Sequence, residues 1–120
     1  MIKKMLFLLS IFSVLTLSVQ AYSYDTSLPL SGKSIADVNL QKNTLFTAYM
    51  FAHRVASPDC KDFAIVDTRV SVEKENNKWQ EIWSIKACTK TAEVPINFEI
   101  KENRGTYAID PMSVRDFENK

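Results

Sequence analysis

Apolar residues change their spacing along this chain, and the change marks its elements. From about Leu40 to Val55, Leu45, Tyr49, Ala52 and Ala56 recur at helical spacing, with Phe46 and His53 on the flank of the stripe. No Gly or Pro interrupts before Pro58, which disfavours helical geometry in the residue ahead of it, so an amphipathic helix ending near Ser57 is expected. Beyond it the period falls to two. Phe63 to Lys74, Trp79 to Cys88, Val94 to Lys101 and Thr106 to Asp110 read as four strands, parted by E-N-N-K, T-K-T-A and E-N-R-G.

The Asn76-Asn77 pair suits a tight hairpin because Asn tolerates positive φ. With Glu75 opposite Lys78, Val72 meets Glu81, Val70 meets Trp83, Thr68 meets Ile85 and Val66 meets Ala87, while Asp67 meets Lys86 on the reverse face. A turn near Thr89 to Ala92 then brings Val94, Ile96, Phe98 and Ile100 beside Ala87, Ile85, Trp83 and Glu81. The fold class expected is α+β: one amphipathic helix packed on a four-stranded antiparallel β-meander. Pro111 starts a tail with one helical turn expected at Ser113 to Phe117.

The first residues give the location. Lys3 and Lys4 precede an apolar run from Met5 to Val19, and Val19-Gln20-Ala21 ends it with small residues at the cleavage spacing, so residues 1–21 read as a cleaved secretory signal. The run is short of the ~20 residues of a spanning helix, and no Cys follows to accept lipid. Residues 22–39, with Ser, Pro and Gly and no period, read as an extended N-terminal segment, and 40–120 as a single domain. Removing Lys3 and Lys4 from fifteen basic residues leaves thirteen against fourteen acidic ones, a balance without the electrostatic footprint of a nucleic-acid or anionic-lipid binder. Stable membrane insertion after cleavage is not expected.

Cys60 and Cys88 are the only cysteines, and export takes both into an oxidising compartment, the periplasm, where such a pair bonds. The staple restricts the unfolded chain by roughly 3 to 4 kcal/mol in the loop-entropy picture. The same pair with His53, the lone histidine, lacks the close spacing of a metal site, and neither metal nor cofactor is expected. No G-x-S-x-G, H-E-x-x-H or phosphate loop is present, and no catalytic residue is assigned.

The stretch K-W-Q-E-I-W-S-I-K-A-C, Lys78 to Cys88, places Glu81 in a row with Trp79 and Trp83. A carboxylate there is wet at the sheet rim, paired with Lys74, His53, Arg54 or Arg115, or facing a ligand cleft. Trp83 reads as core; Trp79, beside the turn, is the better candidate for a surface contact.

The pattern W-x-E-x-W-x-I-x-x-C, with V-P-I-N-F and G-T-Y-A-I after it, resembles a set of small exported proteins of Gram-negative bacteria over about Cys60 to Ile109, departing from them in Thr89 where they carry Gly. It transfers no catalytic residue. In size, export signal and single disulfide the chain is also similar to periplasmic immunity proteins that neutralise cell-wall-degrading toxins delivered by type VI secretion. That organisation implies a non-catalytic inhibitor whose exposed loop or edge plugs a toxin's cleft, with Asn76, Asn77, Trp79, Glu81 and Arg104 as candidate contacts. The alternatives are a glycan- or peptide-binding module using Trp79 with Glu81, and an accessory subunit of an envelope or secretion assembly in which Tyr22 to Lys33 adds a strand to a partner. A homodimer is expected, if one forms, at an edge strand, since an open meander leaves edges unpaired.

Overall fold

The computed structural model describes residues 21–119; the expected signal, apart from Ala21, lies outside them. The helix α1 spans Val38–Val55, two residues longer at its start than the apolar stripe. Asp37 is the cause: its carboxylate accepts from the Leu40 N–H at 2.8 Å, satisfying one donor of the open first turn. Ala56 leaves the helix in extended geometry two residues ahead of Pro58.

Short β1 (Ser23–Tyr24) precedes the helix, and β2 (Asp62–Glu75), β3 (Lys78–Ala87), β4 (Lys90–Lys101), β5 (Arg104–Ile109) and β6 (Arg115–Glu118) follow it. The sheet is six-stranded rather than four-stranded: β1 to β5 lie in sequence order, and β6 pairs with β4 beyond the end of β5. It is also mixed, because β1 runs parallel to β2. The helical turn expected at Ser113 to Phe117 is instead a 3-10 turn at Pro111–Ser113 followed by β6. Asp110 caps that turn and Pro111 cannot supply a ladder N–H, so strand pairing stops there and resumes at Arg115.

The hairpin register is a second correction. Glu75 does face Lys78, but β2 is longer than β3 and slips along it, so Glu81 meets Val70, Trp83 meets Thr68, Ile85 meets Ile65, Ala87 meets Phe63, and Asp67 meets Ser84 rather than Lys86. Irregularities between Val72 and Glu75, between Val70 and Val72 and between Ile65 and Asp67 each reverse the parity of β2, so three of them leave its first residues on the opposite face from that expected. Phe63 and Ile65 therefore face the core, and Val66 and Val72, expected inside, are 48% and 55% exposed.

The β3–β4 turn is tighter than expected, using Cys88 at φ 59° with Thr89. Trp83 thus faces Val94, Glu81 faces Ile96 and Trp79 faces Phe98. This displaces the expected pairing by an even number of residues, so the same side chains still reach the core. Leu45, Ala48, Tyr49 and Ala52 of α1 close over Trp83, Ile85, Val94, Ile96 and Phe98, all buried. Each large apolar side chain contributes roughly 1.5–3 kcal/mol by leaving water. Cys60 and Cys88 are joined, tying the exit of α1 to the end of β3.

Candidate functional site

Glu81 is fully buried. Its Oε2 accepts from Trp79 Nε1 at 2.8 Å and from the backbone N–H groups of Ile35 at 3.1 Å and Ala36 at 3.2 Å. Its Oε1 accepts from Trp83 Nε1 at 2.9 Å. None of the three expected environments holds: among the described residues the carboxylate is neither wet, nor paired with a cation, nor open to a cleft. Lys74 lies over the Trp79 ring, Arg54 over Phe51, and His53 bonds to Tyr24. Four N–H donors do what a cation was expected to do, since a buried carboxylate needs donors more than a counter-charge. The tryptophan half was legible, because i±2 spacing on one face brings both indoles to Glu81. The backbone half was not.

That half comes from the segment before the helix. Thr68 Oγ1 donates to Ser31 O at 2.8 Å and accepts from Ser34 N, while Lys33 N donates to Thr68 O at 2.8 Å. Gln41 accepts from Leu30 N and donates to Ala36 O. Residues 30–36 therefore form a strap held across the sheet by Thr68, Glu81 and Gln41, and Gly32 allows it: at φ +103°, a Cβ there would stand 2.4 Å from the Thr68 backbone.

A polar-aromatic cluster sits at the other end of the helix. Tyr24 Oη and His53 Nε2 are 2.5 Å apart, and Tyr22, Tyr49 and Phe63 pack around them. Burial, helped by the nearby Lys61 charge, lowers the His53 pKa. Burial pushes the Tyr49 hydroxyl up to about 12 against the lowering effect of the Ile65 N–H that it accepts. Both groups serve packing: Tyr49 also donates to Asp25 O, fastening the lead-in.

A groove of about 630 Å³ opens at the hairpin end of the sheet. Directly opposed residues form its rows, Val72 with Gln80, Asn97 and Ala108, then Glu75 with Lys78, Glu99 and Thr106. Gln80 donates to Asn97 at 3.1 Å and accepts from Ser71, and Lys78 reaches Glu99 at 3.6 Å. The turns Asn76-Asn77 and Glu102-Asn103, all at positive φ, meet at this end, joined by the Ile100 N–H donating to Asn77 O at 2.9 Å.

Of the expected contact residues, Asn76 lines the groove, and Asn77 and Arg104 stand exposed on the two adjoining hairpin ends. Trp79 is a correction. It lines the groove yet is only 4% exposed, stacked on Phe98 with centroids 5.2 Å apart and committed to Glu81. Gln80 and Asn97 face each other across the β3–β4 ladder, and Val72, which the alternating pattern placed in the core, joins them only through the β2 irregularities. A smaller hollow of about 470 Å³ continues the same face past Gln80 to Arg69, Glu93 and Arg115.

Among the described residues no group of His, Cys, Asp and Glu is placed to hold a metal ion, and no helix is long and apolar enough to cross a membrane. The disulfide suggests an oxidising compartment such as the periplasm. No family model, curated protein or solved structure matches the chain.

Proposed function

We propose that this chain is an exported, non-catalytic protein-binding domain, an inhibitor or immunity protein that neutralises a secreted cell-wall-degrading toxin, and that it meets its partner at the hairpin-end groove. The observation that carries this reading is the groove itself. Amides of Gln80, Asn97 and Asn76, carboxylates of Glu75 and Glu99 and the exposed Val72 share one uncovered end of the sheet. Mixed polar groups around a small apolar centre are the composition of a non-obligate protein interface. The type I′ turns hold the rim rigid, so little ordering entropy opposes binding.

The test is an affinity capture with C-terminally tagged protein expressed from the full chain, from periplasm and medium, read by mass spectrometry. A stoichiometric lytic enzyme is expected, whose activity the purified protein inhibits. Asn97→Arg should weaken that inhibition at least tenfold, because a long cation then fills the groove. Inhibition untouched by Asn97→Arg and Gln80→Arg would move the contact elsewhere, and no inhibited enzyme would sink the reading.

A glycan-binding role is favoured by one observation, the hydrogen-bonded row of the Ser71 hydroxyl and the Gln80 and Asn97 amides. It no longer has Trp79 and Glu81 as contacts, since both are buried. Quenching of tryptophan fluorescence by cell-wall fragments, abolished in Asn97→Ala, is its signature. In the accessory-subunit reading, the lead-in would have to leave its own sheet, where Ser23 N donates to Lys61 O and Asp25 N to Phe63 O.

A further inference from the structure

The two sides of the sheet are treated differently. On the β2 side, β1 occupies Asp62 and Phe63, the strap bonds Thr68, and irregularities interrupt the rest. These are the devices that keep a strand edge from pairing. On the β5 side the ladder to β4 runs from Ile109 to Arg104 without a register shift, and nothing lies along its far edge among the described residues.

Backbone parity says which groups that edge offers. Glu102 and Asn103, both at positive φ, make a two-residue turn, so Lys101 and Arg104 flank it as a hydrogen-bonded pair. Arg104, Thr106 and Ala108 therefore point their N–H and C=O groups to β4. Those of Gly105, Tyr107 and Ile109 point outward, and no described residue bonds them.

We propose that β5 pairs antiparallel with β5 of a second copy of this chain, Tyr107 opposite Tyr107 across the two-fold axis. This register stands on backbone geometry and not on the partner reading. It sets Gly105 opposite Ile109 of the second copy, joining outward groups to outward groups on both sides of the axis. It also sets Arg104 opposite Asp110 of the second copy, a cation against a carboxylate. Arg104 has no ion pair among the described residues, and both residues are exposed.

A slip of one residue would face bonded groups with free ones, and a slip of two would remove the charge match. Because the β2 edge is blocked, the contact closes at two copies instead of growing into a fibre. Thr106 and Ala108 then stand beside Ala108 and Thr106 of the second copy on the groove face, so the two grooves run into one channel.

The experiment is sedimentation of protein expressed from the full chain over about 1 to 200 µM, with hydrogen exchange followed on dilution. A dimer is expected, with the amides of Gly105, Tyr107 and Ile109 losing protection as it dissociates. Arg104→Asp should weaken it at least tenfold by opposing like charges, and Arg104→Lys, which keeps the charge opposite Asp110 of the second copy, should leave it within about threefold of wild type. A monomer at every concentration overturns the proposal. So does a dimer whose β5 amides exchange alike at all concentrations, or one that Arg104→Asp leaves as strong as wild type. Enzyme inhibition by a monomer would leave the proposed function standing while this inference fell.

Discussion

Replacing Glu81 tests the central physical claim, that a buried carboxylate ties the strap to the sheet. In Glu81→Leu the four N–H donors of Trp79, Trp83, Ile35 and Ala36 lose their acceptor. A buried unsatisfied donor costs about 1–3 kcal/mol, and partial relaxation keeps the sum near 4–6 kcal/mol. Removing a buried charge is often neutral when its partners go with it. Here two partners are backbone groups that no substitution removes.

Glu81→Gln keeps the shape and one acceptor. If its oxygen takes the Oε2 position, three donors remain served and the new NH₂ faces the Trp83 N–H at the 2.9 Å contact. Two opposed donors there should cost about 2–3 kcal/mol. Against a total stability of about 5–15 kcal/mol, the Gln variant folds and the Leu variant stands near its limit. The Gln variant should melt roughly 10–20 °C below wild type. The assay is urea unfolding at pH 7 followed by tryptophan emission, apt because both indoles bond to Glu81. A Gln variant within about 0.5 kcal/mol of wild type, or a Leu variant more stable than the Gln one, would show that the four donors do not depend on Glu81.

Other outcomes follow from the same contacts. Cys60→Ala with Cys88→Ala should lose about 3 to 4 kcal/mol, measured as the fall in urea midpoint and matched by wild type under reductant. Gly32→Ala puts a Cβ 2.4 Å from the Thr68 backbone at φ +103°, so about 2–4 kcal/mol should go, with faster exchange at Lys33 and Ser34. The lowered His53 pKa means that the folded state favours the neutral ring, so this contribution is present above the unfolded value near 6.5 and is lost as pH falls through the folded one. Between pH 7 and 5 wild type should lose more stability than His53→Phe, and equal slopes would count against the account. Tyr49, raised to about 12 from 10.0, carries the opposite sign: its contribution is present below pH 10 and lost toward pH 12, and Tyr49→Phe should remove that alkaline loss.

The periods of the sequence determined the helix, the four long strands and the faces of β3 and β4, because both patterns are local and fall on contiguous residues. Cysteine arithmetic determined the staple, and Asn76-Asn77 the place and tightness of the first hairpin. The spacing of Trp79, Glu81 and Trp83 already put two indole donors within reach of the carboxylate.

Tertiary structure decided what local pattern cannot encode. The irregularities in β2 reversed its faces, and they arise because fourteen residues of β2 must pair with ten of β3 while keeping Phe63 and Ile65 against the helix and Thr68 under the strap. The strap donors Ile35 and Ala36 stand over forty positions from Glu81. The burial of Trp79, the filling of one sheet edge and, among the described residues, the freedom of the other depend on how distant segments close over the same surface. Burial is a property of the assembled layers, whereas period belongs to the chain.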